Sequence, residues 1–174
     1  MYEGRGASVL DVKLDASQIV VDATHSGRAN FIVKPIDSEG NAGSSIVNAI
    51  GVYGGRHLIT EPSKVVALQI SADGPWKFTF DGAGALRVAS PGTTYKSDGD
   101  DVLFVDLPAK GLVRGAFTAT KSNFIVLPFS LKGTSSGSAV NEIAPWSGTV
   151  VIPTDSRILE VIATGPWTMN MTVT

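Results

Sequence analysis

The chain carries two copies of one pattern, and an internal repeat of this length constrains the fold more than any single motif does. Asn30-Phe31-Ile32-Val33-Lys34-Pro35 recurs as Asn123-Phe124-Ile125-Val126-Leu127-Pro128, 93 positions later. At the same spacing Val47-Asn48-Ala49-Ile50 becomes Val140-Asn141-Glu142-Ile143, and Tyr53 and Gly55 fall on Trp146 and Gly148. Ala72-Asp73-Gly74-Pro75-Trp76 returns as Ala163-Thr164-Gly165-Pro166-Trp167 at a spacing of 91, so the second copy lacks two residues in between. Loops absorb such changes, which places the deletion near Thr60 to Lys64 and Pro153 to Ser156. Upstream, Ala23-Thr24 aligns with Ala119-Thr120 if a turn at His25 to Ala29 shortens to Lys121-Ser122. Tandem duplication follows, with repeat 1 over residues 1–84 and repeat 2 over residues 85–174.

Each copy reads as β-strands. Ile19-Val20-Val21, Phe31-Ile32-Val33, Val65 to Ile70 and Trp76 to Phe80 are short, β-branched or aromatic, and bounded by Gly, Pro, Asp, Asn and Ser. The second copy offers Asp101 to Asp106, Leu112 to Thr118, Phe124 to Phe129, Thr149 to Ile152, Ile158 to Ile162 and Trp167 to Val173. Strict alternation in Trp76-Lys77-Phe78-Thr79-Phe80 means one buried face and one wet face. No window has a helical period, although Ser44 to Ile50 suits a single turn. The expected fold is all-β: two tandem antiparallel β-sandwich repeats, jelly-roll-like. Asp37-Ser38-Glu39-Gly40-Asn41 reads as a hairpin connection, and each Gly-Pro-Trp as a tight turn launching the last strand with the tryptophan in the core.

Composition narrows function mainly by exclusion. With 14 Lys plus Arg against 16 Asp plus Glu, a formal net charge of −2 in 174 residues builds in no attraction to nucleic acid or anionic lipid. No apolar run reaches the roughly 18 residues of a spanning helix, so no membrane insertion is expected. The start, with Glu3 and Asp11, does not read as a secretory signal. Zero cysteines removes disulfides, thiolate nucleophiles and cysteine metal sites.

The chemistry-bearing residues do not assemble into a catalytic motif. His25 and His57 occur only in the first copy and read as surface residues of a turn or strand edge, without the further ligands a metal needs. Asp98-Gly99-Asp100-Asp101 lacks the spacing of a calcium loop and reads as a solvated turn. Asp73 is replaced by Thr164 in the second copy, which argues against a carboxylate mechanism in each repeat. No serine stands in a nucleophile elbow, and no glycine loop has phosphate-binding spacing. No catalytic residue, cofactor or metal is therefore assigned, and the chain is read as non-enzymatic. The candidate interface is Tyr53, Arg56 and Trp146: an aromatic flanked by small residues at matching loop positions can be a contact surface or a plug closing the sandwich.

The Asn-Phe-Ile-Val, Val-Asn-x-Ile-Gly-x-Tyr-x-Gly and Ala-Asp-Gly-Pro-Trp blocks resemble a domain found in tandem in secreted proteins and lipoproteins of actinobacteria. They are also similar to β-sandwich units in structural proteins of phages that infect those bacteria. The second copy departs from the pattern, with Ala144-Pro145-Trp146 in place of Gly-x-Tyr. The resemblance implies a structural or assembly module with no active-site residues. The leading expectation is a virion surface component, a capsid decoration or accessory tail protein assembled in the host cytoplasm. Its partners would be a virion or cell-surface protein and further copies of itself, as a homo-oligomer or lattice. The alternative is an extracellular or cell-surface binding module of bacteria, for carbohydrate among other ligands.

Overall fold

The computed structural model describes residues 1–17, 19–108, 110–135 and 137–174. The chain divides into two units, Met1–Ala85 and Leu86–Thr174. Each is an antiparallel β-sandwich, and the only helical pieces among the described residues are 3-10 turns at Pro62–Lys64 and Ala83–Ala85. No helix among the described residues is long and apolar enough to cross a membrane.

The first unit comprises β1 (Tyr2–Arg5), β2 (Ser8–Asp11), β3 (Val20–Ile36), β4 (Val47–Leu58), β5 (Ala67–Ser71) and β6 (Pro75–Asp81). Its strand order is β1-β6-β3-β5-β2, with β4 also on β3. The organising element is β3. Val20 to His25 lies between β6 and β4, and beyond a bulge Ile32 and Val33 lie between β5 and β4. One bent hairpin thus contributes to both layers. Between them sit Phe31, Leu68, Ile70 and Phe78, all at or below 2% exposure, and burying each such side chain is worth roughly 1.5–3 kcal/mol.

The second unit repeats this plan with β8 (Thr94–Ser97), β9 (Asp101–Val105), β10 (Val113–Phe129), β11 (Val140–Ile152), β12 (Ile158–Ala163) and β13 (Trp167–Val173). Its order β9-β12-β10-β13-β8 with β11 on β10 matches β2-β5-β3-β6-β1 with β4 on β3. It adds β7 (Arg87–Ala89), which joins β9 in parallel. In both units the Gly-Pro-Trp turn puts the tryptophan in the core. Trp76 Nε1 donates to Gly6 O at 3.0 Å and Trp167 Nε1 to Gly99 O at 2.8 Å. The indole thereby ties the last strand to the turn between the first two strands of the shared plan, satisfying its one polar group.

Several expectations are corrected. Ile19–Val21 and Phe31–Val33 belong to one strand, as do Leu112–Thr118 and Phe124–Phe129, apart from their first residues Ile19 and Leu112. His25 to Ala29 is not a turn. Ser26 pairs with Val52 and Asn30 with Ile50, so Gly27, Arg28 and Ala29 bulge opposite Gly51 alone. In the second unit Ala119 pairs with Trp146 and Ser122 with Ala144, which leaves Thr120 and Lys121 opposite Pro145. The bulge is shorter by one residue, and the registers make His25 equivalent to Ala119 and Ala23 equivalent to Phe117. The pairing of Ala23-Thr24 with Ala119-Thr120 is thus two residues out. Ser44 to Ile50 forms no helical turn, because β4 begins at Val47.

The hairpin connection is where it was expected. Asp37 Oδ1 accepts the Glu39 and Asn41 N–H groups at 2.9 and 2.8 Å, and Gly40 takes φ +85°. The Asn41 N–H chiefly holds the Asp37 carboxyl below its ordinary value. Between β4 and β5 the 3-10 turn Pro62–Lys64 occupies the connection; the registers match Leu58 with Val151 and Ala67 with Ile158, so eight intervening residues become six and the two-residue difference lies here.

Candidate functional site

Tyr53 and Trp146 lie in the middle of β4 and β11, not in loops. Three glycines, Gly51, Gly54 and Gly55, disguise β4 as a loop, yet its pairing with β3 runs from Val47 to Leu58 across the bulge. Alternation decides where the side chains go. Tyr53 turns inward, half-buried, with its ring 5.8 Å from Phe31 and its hydroxyl sharing a 2.6 Å hydrogen bond with His57 Nε2. Trp146 is also half-buried, 6.0 Å from Phe124, and its ring lies over Gly148, where there is no room for a Cβ. Both rings thus pack against the hydrophobic clusters of their own units. Arg56 is half-buried beside Asp22, Nε to Oδ2 3.6 Å, and reaches Ala85 O at 3.5 Å.

The opposite face of these strands was not singled out. Ile50 is 77% exposed and Val52 82%; in the second unit Ile143 is 76% exposed and Val151 53%. Asn48-x-Ile50-x-Val52 and Asn141-x-Ile143-x-Pro145 are equivalent outward rows. The alternating identity of the repeat, Asn then Ile two residues on, was the available signal.

Both histidines are buried rather than superficial, His25 at 1% and His57 at 4%. His25 stacks on Phe31 at 4.5 Å, and its Nδ1 donates to Gly51 O at 2.8 Å. Its Nε2 lies 3.3 Å from Asp73 Oδ1 but off the direction a hydrogen bond requires. The Asp73 carboxylate accepts the N–H groups of Arg28, at 2.9 and 3.2 Å, and Ala29, at 3.1 Å. These bonds, Arg28 first, hold its carboxyl below the ordinary value. Asp73 therefore caps the bulge.

The acidic turn is likewise structural. Asp101 is buried at 2% exposure, correcting the expectation of a fully solvated turn. It is paired with Arg87 and accepts the Tyr95 hydroxyl at 3.0 Å, while Arg87 lies over the Tyr95 ring at 4.5 Å. Asp100 Oδ1 accepts the Ala163 N–H at 2.7 Å. Burial first, then the Asp101 charge, push the Tyr95 phenol well above its ordinary value. Among the described residues no three His, Asp or Glu side chains converge to hold a metal ion. A groove of about 440 Å³ on the first unit is lined by Glu3, Gly4, Thr24, Ser26, Pro75, Trp76 and Lys77.

No protein-family model and no curated protein matches the chain. Among solved structures it is similar to the CUB1-EGF-CUB2 domain of human MASP-1/3, at 9% identity over 99% of this chain and 93% of that one, with a TM-score of 0.28. It is also similar to a mutant of Bacillus subtilis oxalate decarboxylase, at 8% identity over 98% of this chain and 67% of that one, with a TM-score of 0.26.

Proposed function

We propose that the chain is a non-enzymatic structural module that works by protein–protein attachment through the outward faces of β4 and β11. The observation that carries this reading is the repetition of Asn48, Ile50 and Val52 as Asn141, Ile143 and Pro145 on equivalent strands, with Ile50 77%, Val52 82% and Ile143 76% exposed. Large aliphatic side chains held in water at the same place in both units do nothing for either core, and exposed apolar patches on such faces serve binding. Their chemistry suits a protein surface better than a sugar, whose rings stack on exposed aromatics. No aromatic is among the exposed large side chains of the described residues. The buried polar groups His25, His57 and Asp101 are engaged in contacts within their own units. The setting proposed is a virion surface, as capsid decoration or accessory tail protein; it rests on the family resemblance.

The test is fractionation. Chain detected with purified particles, and lost from them in the double variant Ile50→Ser/Ile143→Ser while the fold is kept, is the expected result. Retention on cell-wall polysaccharide, indifferent to that variant, would overturn the reading in favour of a surface sugar binder.

A further inference from the structure

We infer that the free edge of β2 takes a short extended segment of a partner protein, laid parallel to it as β7 is laid on the second unit. The segment is apolar in its first, second and fourth places and basic in its third. The registers match Ser8, Val9, Leu10 and Asp11 of β2 with Asp101, Val102, Leu103 and Phe104 of β9. On β9 the edge is filled. There β7 pairs in parallel, with Arg87 beside Leu103, Val88 beside Phe104 and Ala89 beside Val105. Ala89 joins the buried cluster of Leu103 and Val105, and its carbonyl accepts the Asp106 N–H at 3.0 Å. Among the described residues no strand takes this place on β2, which pairs with β5 alone. Leu10 is only partly buried where Leu103 is fully so, and Val9 is 67% exposed where Val102 is buried.

The main-chain groups for such a strand are in place. The Val12 N–H donates to Val66 O at 2.9 Å, on the β5 side, as its counterpart Val105 does to Arg157 O. Main-chain groups alternate in direction along a strand, so the N–H groups of Val9, Asp11 and Lys13 point out of the sheet. Lys13 stands where Asp106 meets Ala89. An added strand is held by main-chain bonds of this kind, and its side chains choose the partner. That choice differs between the units. In the second, Arg87 pairs with Asp101 and lies over the Tyr95 ring. In the first, Tyr2 keeps the ring, but Ser8 replaces Asp101, and the exposed Asp11 replaces Phe104 beside the place of Val88. The carboxylate has moved from the second place of the incoming strand to the third, and the cation it attracts moves with it. A second copy's Leu86-Arg87-Val88-Ala89 is neutral in that third place and already engaged on its own β9. This edge is separate from the outward rows of β4 and β11, so the proposal goes beyond the attachment reading and fails separately from it.

The test supplies the strand in cis, so that weak affinity does not hide it. Leu-Val-Lys-Ala is joined ahead of Met1 of the full chain through Ser-Pro-Gly-Thr, the sequence of residues 90–93 that follows β7, and main-chain hydrogen exchange is followed residue by residue. The expected result is exchange at Asp11 and Lys13 slowed about tenfold or more, an effect lost in Asp11→Lys and regained when the tethered lysine is also made glutamate. On the unchanged chain a Leu-Val-Glu-Ala tether should protect less than Leu-Val-Lys-Ala, which tests the charge preference without altering the unit. Exchange at Asp11 and Lys13 indifferent to the tether, or slowed equally by lysine and glutamate in it, would overturn the inference. So would protection that needs no tether and rises with chain concentration, since a second copy would then hold the edge. Tether failure with particle attachment intact sinks this edge and leaves the attachment reading standing.

Discussion

Phe31 and Phe124 occupy the same place in the two units, and the rings gathered around them differ. In the first unit Phe31 meets His25 at 4.5 Å, Tyr53 at 5.8 Å and Phe78 at 6.1 Å. In the second, Phe124 meets Phe117 at 6.0 Å, Trp146 at 6.0 Å and Trp167 at 6.2 Å. Since His25 matches Ala119 and Ala23 matches Phe117, a buried ring has moved two residues along one strand and stayed on the same face. Gly115 makes room for it: a Cβ there would stand 2.7 Å from the Phe117 ring, and the first unit has Val21 at this point. The pair shows the two cores placing a ring at different positions on the same face of equivalent strands. The choice of His25 brings polar obligations that the second unit lacks, namely the Gly51 carbonyl and the Asp73 cap beside it.

What the units share should break hardest. Trp167→Ala and Trp76→Ala each remove a buried indole and orphan a turn carbonyl, at a cost of about 3–5 kcal/mol to the unit concerned. Hydrogen exchange on the intact chain reads each unit apart; a loss under about 1 kcal/mol at Trp167 would put the frame elsewhere. The packing exchange comes next. Ala23→Phe alone overfills the first core by about 1–3 kcal/mol. The triple change Val21→Gly, Ala23→Phe, His25→Ala rebuilds the second unit's arrangement and should recover part of that loss. If the triple variant is worse than Ala23→Phe alone, the two cores are not versions of one another.

The units should also fail at opposite ends of the pH scale. Asp73 and Asp37 have folded values depressed below the ordinary 3.8, so their contribution is present above it and is lost as pH falls through the folded values. Thr164 and Ser130 stand in their places in the second unit and do not titrate there. Tyr95 is raised above its ordinary 10.0, so its contribution is present below pH 10 and is lost as pH rises beyond it. Acid should loosen the first unit before the second, and alkali the second before the first. Asp73→Asn should abolish much of the acid difference, and unchanged exchange profiles at both extremes would refute this account.

The repeat, the all-β class, the Trp turns and the Asp37 hairpin were legible because each rests on local chemistry. The strand β4 was not, since Asn48 and three glycines have poor strand propensity and the strand exists through its pairing with β3. Burial of His25 and His57 left no mark either, as His25 stands between Thr24 and Ser26, His57 follows Gly54-Gly55-Arg56, and their partners, Gly51 O and the Tyr53 hydroxyl, come from other residues of the fold. The alignment slip at Ala23 has a related cause. A shift of two preserves the face of every side chain, so the pattern gives no warning, and only the register against Tyr53 and Trp146 exposes it.

The smallest expected effect separates the two faces of β4 and β11. Ile50→Ser and Ile143→Ser remove side chains that are 77% and 76% exposed, so each should change stability by less than about 0.5 kcal/mol. Tyr53→Ala and Trp146→Ala, one residue position away in facing, take away rings that rest on Phe31 and Phe124 and should destabilise their units measurably. Attachment should respond in the reverse order: it falls with the outward substitutions and survives the inward ones at temperatures where the unit stays folded. If instead Tyr53→Ala or Trp146→Ala abolishes attachment in a folded unit while Ile50→Ser and Ile143→Ser leave it intact, the contact surface includes the ring edges, and the outward row is ordinary solvent-facing strand.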